Sequence, residues 1–294
     1  MAKRILITGK NSYIGQSFID YCAKHEPDFD FDFDIDVLSV RGEEWKTFDF
    51  SPYHSIFHVA GIAHNSSDSK LEDLYYKVNR DLSIEIATKA KAEGVKQFVF
   101  MSSMIVFGNH PSGKTYINAE TEPNPDNFYG DSKLQAEIGL EKLQSDDFNV
   151  AIIRPPMIYG KGSKGNYPLL AKLARKSPVF PNYPNKRSML YIGNLCRFIS
   201  LLIQHNDAGK FHPQNAEHVQ TSEMVRLIAD HYNHKIFMPK TFNFIIDRMF
   251  KLNVIKKVFG ELYYDQEMSR YKDRDYQKID LKQSIMLTEV IEEG

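Results

Sequence analysis

The chain has 294 residues, 42% of them hydrophobic and 26% charged, with a formal net charge of −1. This describes a soluble globular protein with a core large enough for one large or two modest domains, and it excludes bulk electrostatic attraction to nucleic acid or membrane. Two cysteines, Cys22 and Cys196, lie far apart, ten histidines show no ligand spacing, and no apolar run approaches a membrane span. The first strand starts close to Met1 and leaves no room for a signal peptide, so the expectation is a cytoplasmic protein with reduced thiols and no metal.

Ile5-Leu6-Ile7 is a short apolar run that reads as a buried parallel strand, and Thr8-Gly9 ends it. Asn11 and Ser12 are good N-cap residues, and Ile14, Phe18, Tyr21 and Cys22 then repeat at helical spacing. Strand, glycine turn and helix N-terminus in that order make an anion site suited to a pyrophosphate. Gly9 permits the turn and Gly15 lets the helix pack closely, with Lys10, Ser12, Tyr13 and Ile14 between them. The middle glycine of the dinucleotide fingerprint falls at Ser12, which can serve if its φ is negative and its hydroxyl turns to the ligand.

Phenylalanine and aspartate alternate over Pro27-Asp28-Phe29-Asp30-Phe31-Asp32-Phe33-Asp34, read as a loop and edge segment leading into the second strand, Asp36 to Arg41. An acidic residue commonly ends this strand and holds a ribose 2′-hydroxyl. Arg41 stands there instead, and with Lys10 it suits a 2′-phosphate, which favours NADP(H) over NAD(H).

Phe48-Asp49-Phe50 precedes a strand, Ser55 to Gly61, whose small final residues Ala60 and Gly61 let a cofactor pass close to the chain. Leu74, Val78, Leu82, Ile86 and Ala90 lie four apart and predict one long helix, stopped by Gly94. Gln97 to Ser103 is the next strand, ending in two hydroxyls at the sheet edge where chemistry is placed. A loop rich in Pro, Asn and Gly, 109–127, leads to a helix in which Tyr129 and Lys133 share a face. Near the end, Met224, Leu227 and Ile228 predict a helix. Phe242 to Phe259 mixes apolar and basic residues and reads as a substrate-domain helix with a basic outer face, a membrane-surface segment being the alternative. The tail beyond Asp265 is polar and reads as partly irregular.

These motifs together resemble the extended short-chain dehydrogenase/reductases, in particular the nucleotide-sugar epimerases, dehydratases and reductases. The matches run in the family's order: Thr8-Gly9 to Gly15, Asp49, His58-Val59-Ala60-Gly61, Asn79, Ser102-Ser103 with Val106-Phe107-Gly108, and Tyr129-Gly130-Asp131-Ser132-Lys133. Arg154-Pro155-Pro156-Met157-Ile158-Tyr159-Gly160 and Arg187-Ser188-Met189-Leu190-Tyr191-Ile192 follow. The chain departs from the family pattern at Ser12, at Phe107 (usually tyrosine) and at Gly193-Asn194 (often acidic). The resemblance implies that Tyr129 is the general acid/base, that Lys133 favours its phenolate and holds the nicotinamide ribose, and that Ser103 binds the reacting sugar oxygen. It assigns Asp49, Phe50, Ala60, Gly61, Asn79 and Pro155 to the cofactor, and Asn166 and Arg187 to a nucleotide diphosphate.

The fold class expected is therefore α/β: a Rossmann-type doubly wound parallel sheet over 1–153, with a return segment at 187–211. A smaller mixed α/β substrate domain is expected from 154–186 and 212–294, with a nucleoside diphosphate sugar in the cleft between them. The activity expected first is an NADPH-dependent 4-keto-sugar reductase. A UDP-sugar 4-epimerase is the alternative, and a non-catalytic cofactor-sensing protein is a third reading that the intact Ser103, Tyr129 and Lys133 set argues against. A homodimer is compatible with the sequence; nucleic-acid binding is not expected.

Overall fold

The computed structural model describes residues 2–25, 32–63, 68–110 and 112–290. Part of the alternating Phe-Asp segment, 26–31, lies outside the described residues. Two compact units are present. The first comprises 1–108, 122–155 and 195–213, and the second 109–121, 156–194 and 214–294.

The first unit is built on six parallel strands: β1 (Lys3–Thr8), β2 (Phe33–Leu38), β3 (Ser55–His58), β4 (Gln97–Met101), β6 (Asn149–Ile153) and β9 (Gly209–Phe211). Their order is β2-β1-β3-β4-β6-β9. β1 has β2 on one side and β3 on the other, so the order reverses at β1 and β3, where such sheets open a ligand crevice at their carboxyl ends. β3 and β4 are buried along their whole length, which is why the central strands read as continuous apolar runs. The second strand starts earlier and stops sooner than the sequence suggests, running Phe33–Leu38, because β1 supplies partners from Lys3 to Thr8 and no further.

Helices α1 (Tyr13–His25), α3 (Leu82–Ala92), α4 (Phe128–Glu141) and α6 (Ile192–Gln204) accompany these strands, with a short α2 (Glu72–Tyr75) before α3. A π-helical turn, Tyr76–Asp81, joins α2 to α3. It shifts the buried face by one residue from the expected one as far as Ser83, while Ile86 and Ala90 are buried as expected. Tyr75, Asn79, Ser83 and Ala87 are buried, whereas Leu74 is exposed. Leu6, Ile56, Phe98, Phe100 and Ile152 form the centre of this unit's core, with Ile86, Ala90 and Leu140 against them. Cys22 and Cys196 are both buried and form no disulfide, and Cys22 lies close enough to help burial raise the Cys196 thiol pKa.

The second unit holds two small parallel sheets. β5 (Lys114–Ile117) pairs with β10 (Glu261–Tyr264), and β7 (Met157–Tyr159) with β8 (Met189–Tyr191). β5 falls inside the stretch expected to be loop, since its partner lies far along the chain and no local pattern announces the pairing. Helices α5 (Tyr167–Lys176), α7 (Thr221–His231), α8 (Asn243–Arg248), α9 (Asn253–Phe259) and α10 (Leu281–Thr288) complete it. α10 lies in the tail expected to be partly irregular; Asp280 and Gln283 start it with a reciprocal capping box. Residues 242–259 form two short helices rather than one, and their outer face is apolar as well as basic. No helix among the described residues is long and apolar enough to cross a membrane.

Candidate active site

The carboxyl ends of β1 and β3 meet at Gly9. Its φ is +124°, and a Cβ there would lie 2.9 Å from the Ala60 nitrogen, so only glycine fits. The Gly9 N–H donates to the Leu38 carbonyl at the end of β2, and its carbonyl accepts from Ser12 N–H at 2.8 Å. Ser12 then caps α1: its carbonyl accepts the first helical bond, from Gln16, and its hydroxyl accepts from Gly15 N–H at 3.4 Å. Ser12 is outside the small set of non-glycine residues with positive φ, so the chain makes this turn without the middle glycine. A Cβ at Gly15 would press on Ile7 and Val59 at 3.1 and 3.2 Å, which sets how closely α1 packs. Lys10 and Asn11 are exposed in the turn, with Tyr13 and Ile14 half-buried after it.

At the end of β2 no carboxylate appears between 39 and 42. Arg41 is exposed, and its N–H donates to the Ser39 hydroxyl oxygen at 3.4 Å. Asp36, further back in the strand, accepts from Arg4 and from the Tyr53 hydroxyl. Asp49 is exposed, and bonds from Ser51 hold its carboxyl below the usual range. Phe50 is a core residue whose N–H donates to Glu93.

Beyond β3, Ala60 is half-buried and Gly61 exposed. A Cβ at Gly61 would approach Asn79 Oδ1 at 3.1 Å and Lys133 Nζ at 3.2 Å. Asn79 is fully buried in the π turn, a distortion frequent at functional sites. Its Oδ1 accepts from Ile62 N–H, and its amide donates to the Ile62 carbonyl and the Ser132 hydroxyl. Asn79 thus clamps the loop that carries Gly61 to the helix that carries Lys133. Pro155 is buried, and its carbonyl accepts from Met104 N–H.

Ser103 caps a short 3₁₀ turn, Met104–Phe107, and its hydroxyl oxygen accepts from Ile105 N–H at 3.3 Å. The same hydroxyl stands beside the Tyr129 phenol. α4 brings Tyr129 there: Asn127 caps the helix by accepting from Gly130 N–H, and Gly130 packs so closely that a Cβ would sit 2.7 Å from the Ile105 carbonyl. Burial pushes the Tyr129 phenol up, and the neighbouring Ser103 hydroxyl opposes that shift. One helical turn on, Lys133 is buried, donates to the Met101 carbonyl at 2.9 Å and lies 4.6 Å from the Phe100 ring centre. Burial lowers its pKa to about 8, against the opposing pull of Glu137.

Two buried polar ladders behind these residues escape sequence reading. In one, Glu137 accepts from Ser102 and from Arg154, whose NH2 lies 2.6 Å from Oε2. Arg154 also stacks on the Phe107 ring at 5.0 Å, which gives the phenylalanine at that position a partner. In the other, Thr8, His58 and Ser83 run in series to the Asn79 carbonyl. Ser83 spends its proton on that carbonyl, so His58 Nε2–H donates to Ser83 and Nδ1 accepts from Thr8. Burial, reinforced by the Lys133 charge, lowers the His58 pKa to about 3 and keeps the ring neutral. The available signal was polar residues at positions where the pattern demanded apolar ones.

In the second unit, Arg187 is half-buried. Its main chain bridges to Val219, and its NH1 donates to the Lys257 carbonyl at 2.9 Å and the Gly260 carbonyl at 3.4 Å. Burial lowers its pKa. Asn166 is exposed at the start of α5, where its side chain makes no capping bond.

A family model described as the NAD dependent epimerase/dehydratase family matches residues 5–215. The chain is 31% identical over 288 residues to a UDP-glucose 4-epimerase from Vibrio cholerae, covering 90% of this chain and 88% of that one. Its fold is similar to dTDP-4-dehydrorhamnose reductase from Bacillus anthracis in complex with NADP. That likeness has a TM-score of 0.63 and 24% identity, covering 81% of this chain and 84% of that one. It is also similar to UDP-glucuronic acid 4-epimerase from Bacillus cereus in complex with NAD, with a TM-score of 0.70, 14% identity and coverage of 97% and 94%.

Proposed function

The chain belongs to the NAD dependent epimerase/dehydratase family, and from that premise we propose that it is an NADP(H)-dependent reductase of a 4-keto sugar carried on a nucleoside diphosphate. Membership makes it an NAD(P)-dependent enzyme of the extended short-chain dehydrogenase/reductase type. The observation that carries the finer reading is the chemistry at the end of β2. A carboxylate there would repel a 2′-phosphate, and residues 39–42 hold none. Arg41 offers an exposed guanidinium, Ser39 retains its hydroxyl proton, and Lys10 is exposed in the neighbouring turn.

The residues present fit a dinucleotide. Gly9 and Gly61 let the chain close tightly against Ala60 and against Asn79 and Lys133, where a side chain would press on them. Residues 9–15, Arg41, Ala60, Gly61 and Lys133 would hold it. When bound, its nicotinamide supplies or takes up the hydride. Tyr129 gives its proton to the sugar carbonyl oxygen and Ser103 donates a hydrogen bond to the same oxygen, stabilising the charge that develops there. Asn166 and Arg187 are proposed for the diphosphate, Arg187 using the donors its NH1 does not commit to backbone.

A second reading, a UDP-sugar 4-epimerase, is favoured by the identity to the Vibrio protein. It uses the same Ser103, Tyr129 and Lys133 but must retain its cofactor through each cycle. Titration with NADPH and NADH, then with Arg41→Ala, tests the first reading. Tighter NADPH binding, lost in the variant, together with stoichiometric NADPH consumption on a 4-keto-6-deoxy nucleotide sugar, supports the reductase. Equal affinities, with NMR showing the 4-epimer of UDP-glucose or UDP-N-acetylglucosamine and no net cofactor change, would replace it with the epimerase.

A further inference from the structure

Helices α8 and α9 present two different sides. Ile246 and Phe259 are buried, and Phe250 packs on Tyr183 with ring centres 5.7 Å apart, so the core of the second unit holds the segment in place. Helices of six and seven residues would not form alone, so this packing preforms them. The other side shows Phe242, Phe244, Ile245, Met249, Leu252 and Val254 to solvent, with exposure of 60% at Phe244 and 70% at Val254. Of the 17 large apolar side chains exposed among the described residues, seven fall between 237 and 254. Single exposed apolar residues are ordinary; a concentration of this kind marks an interaction surface.

Cations are interleaved with these side chains. Lys240, Arg248, Lys251 and Lys257 are exposed, and Lys256 is half-buried. Residues 235–257 carry six Lys or Arg and one acid in a chain whose net charge is −1. That acid, Asp247, accepts a bond from the Tyr183 hydroxyl at 2.7 Å. A two-fold contact between copies would bring this cationic face against itself, where like charges repel. An anionic lipid surface satisfies both features: headgroup phosphates take the cations, and the acyl boundary takes the phenylalanine, leucine and valine side chains.

We propose that the α8–α9 face of the second unit docks the protein peripherally on anionic lipid. Docking is independent of the chemistry proposed at Tyr129, and so is its test. The full chain is floated with vesicles of phosphatidylcholine alone and of phosphatidylcholine with phosphatidylglycerol. The expected result is at least about tenfold more protein floating with the anionic vesicles, reduced by high salt. The double variant Phe244→Glu/Val254→Glu should lose flotation by about tenfold or more while its unfolding midpoint stays at the parent value, since both side chains already face water. Absence of flotation, or equal flotation with neutral vesicles, overturns the proposal. So does a parent dimer that the double variant converts to monomer without any vesicle binding, which would assign the face to a second copy of the chain.

Discussion

The Lys133 ammonium donates to the Met101 carbonyl oxygen at 2.9 Å. This bond ties α4 to the end of β4, two residues before Ser103, and so fixes where the preceding turn of α4 delivers Tyr129. The phenol there lies beside the Ser103 hydroxyl, which opposes the upward shift that burial causes. Lysine and tyrosine share a helix face, but each meets a different group at the strand end: a carbonyl for one, a hydroxyl for the other.

Tyr129→Phe removes the proton donor and leaves the ring contact with Tyr75, whose centroid lies 5.9 Å away. Turnover should fall by about 100-fold or more, the usual range for a lost general acid, with cofactor affinity nearly unchanged. Steady-state kinetics and a cofactor titration check this. Turnover within about tenfold of the parent, roughly 1.4 kcal/mol in the barrier, would remove Tyr129 from its role.

Gly130→Ala touches no reacting group, yet its methyl would lie 2.7 Å from the Ile105 carbonyl and 2.9 Å from Pro125 Cβ. Either α4 or the 3₁₀ turn after Ser103 must shift. We expect a loss of about 1–3 kcal/mol in stability and at least about a tenfold fall in kcat as the placement of Ser103 against Tyr129 is disturbed. A variant with lowered stability but parental kcat would show that turnover tolerates displacement of these two side chains.

The legible parts were those governed by local rules. β1 and β4 are buried on both faces and read as apolar runs, while Gly9 and Gly15 are required by close approach. The β5–β10 pairing was not legible, because its two strands are distant in sequence and each is short. The helix face was legible only in its second half, for a different reason. Ile86 and Ala90 are buried as their spacing predicts, but before them the polar Asn79 and Ser83, with partners in the core, take the places the apolar pattern gave to Val78 and Leu82. Glu137 and Arg154 likewise look like surface charges until the fold pairs them.

That pair gives a stability prediction. Glu137 is fully buried and Arg154 is 4% exposed. Glu137→Ala strands the guanidinium in the core and should cost about 3–5 kcal/mol. Glu137→Leu combined with Arg154→Met removes both charges and should recover much of the loss. Urea unfolding measures both. A single variant losing less than about 1 kcal/mol would mean that water reaches Arg154 when its partner is gone.

Acid stability follows from His58 and His212, whose pKa values burial lowers from 6.5 to about 3 in each case; nearby cations, Lys133 for the first and Arg154 with Lys210 for the second, lower them further. Above pH 6.5 both rings are neutral folded or unfolded, and neither makes stability depend on pH. Between pH 6.5 and 3 the unfolded chain binds these protons and the folded chain does not. More protons on the unfolded state means that stability rises with pH, so it falls on acidification. At pH 5 each ring should cost about 2 kcal/mol relative to pH 7. His54, lowered to about 4 and only half-buried, adds to the same slope. Carboxyls held low, such as Asp49 and Asp265, act below about pH 5 and leave the range from pH 7 to 5 to the histidines. At the other end, Lys133 falls from 10.5 to about 8, so stability should rise again between those values as the folded state sheds its proton first. Unfolding free energies at pH 7, 6 and 5 test the acid limb, with His212→Gln expected to reduce its slope by about one proton. An unchanged stability from pH 7 to 5 would show that the buried rings accept protons in the folded protein.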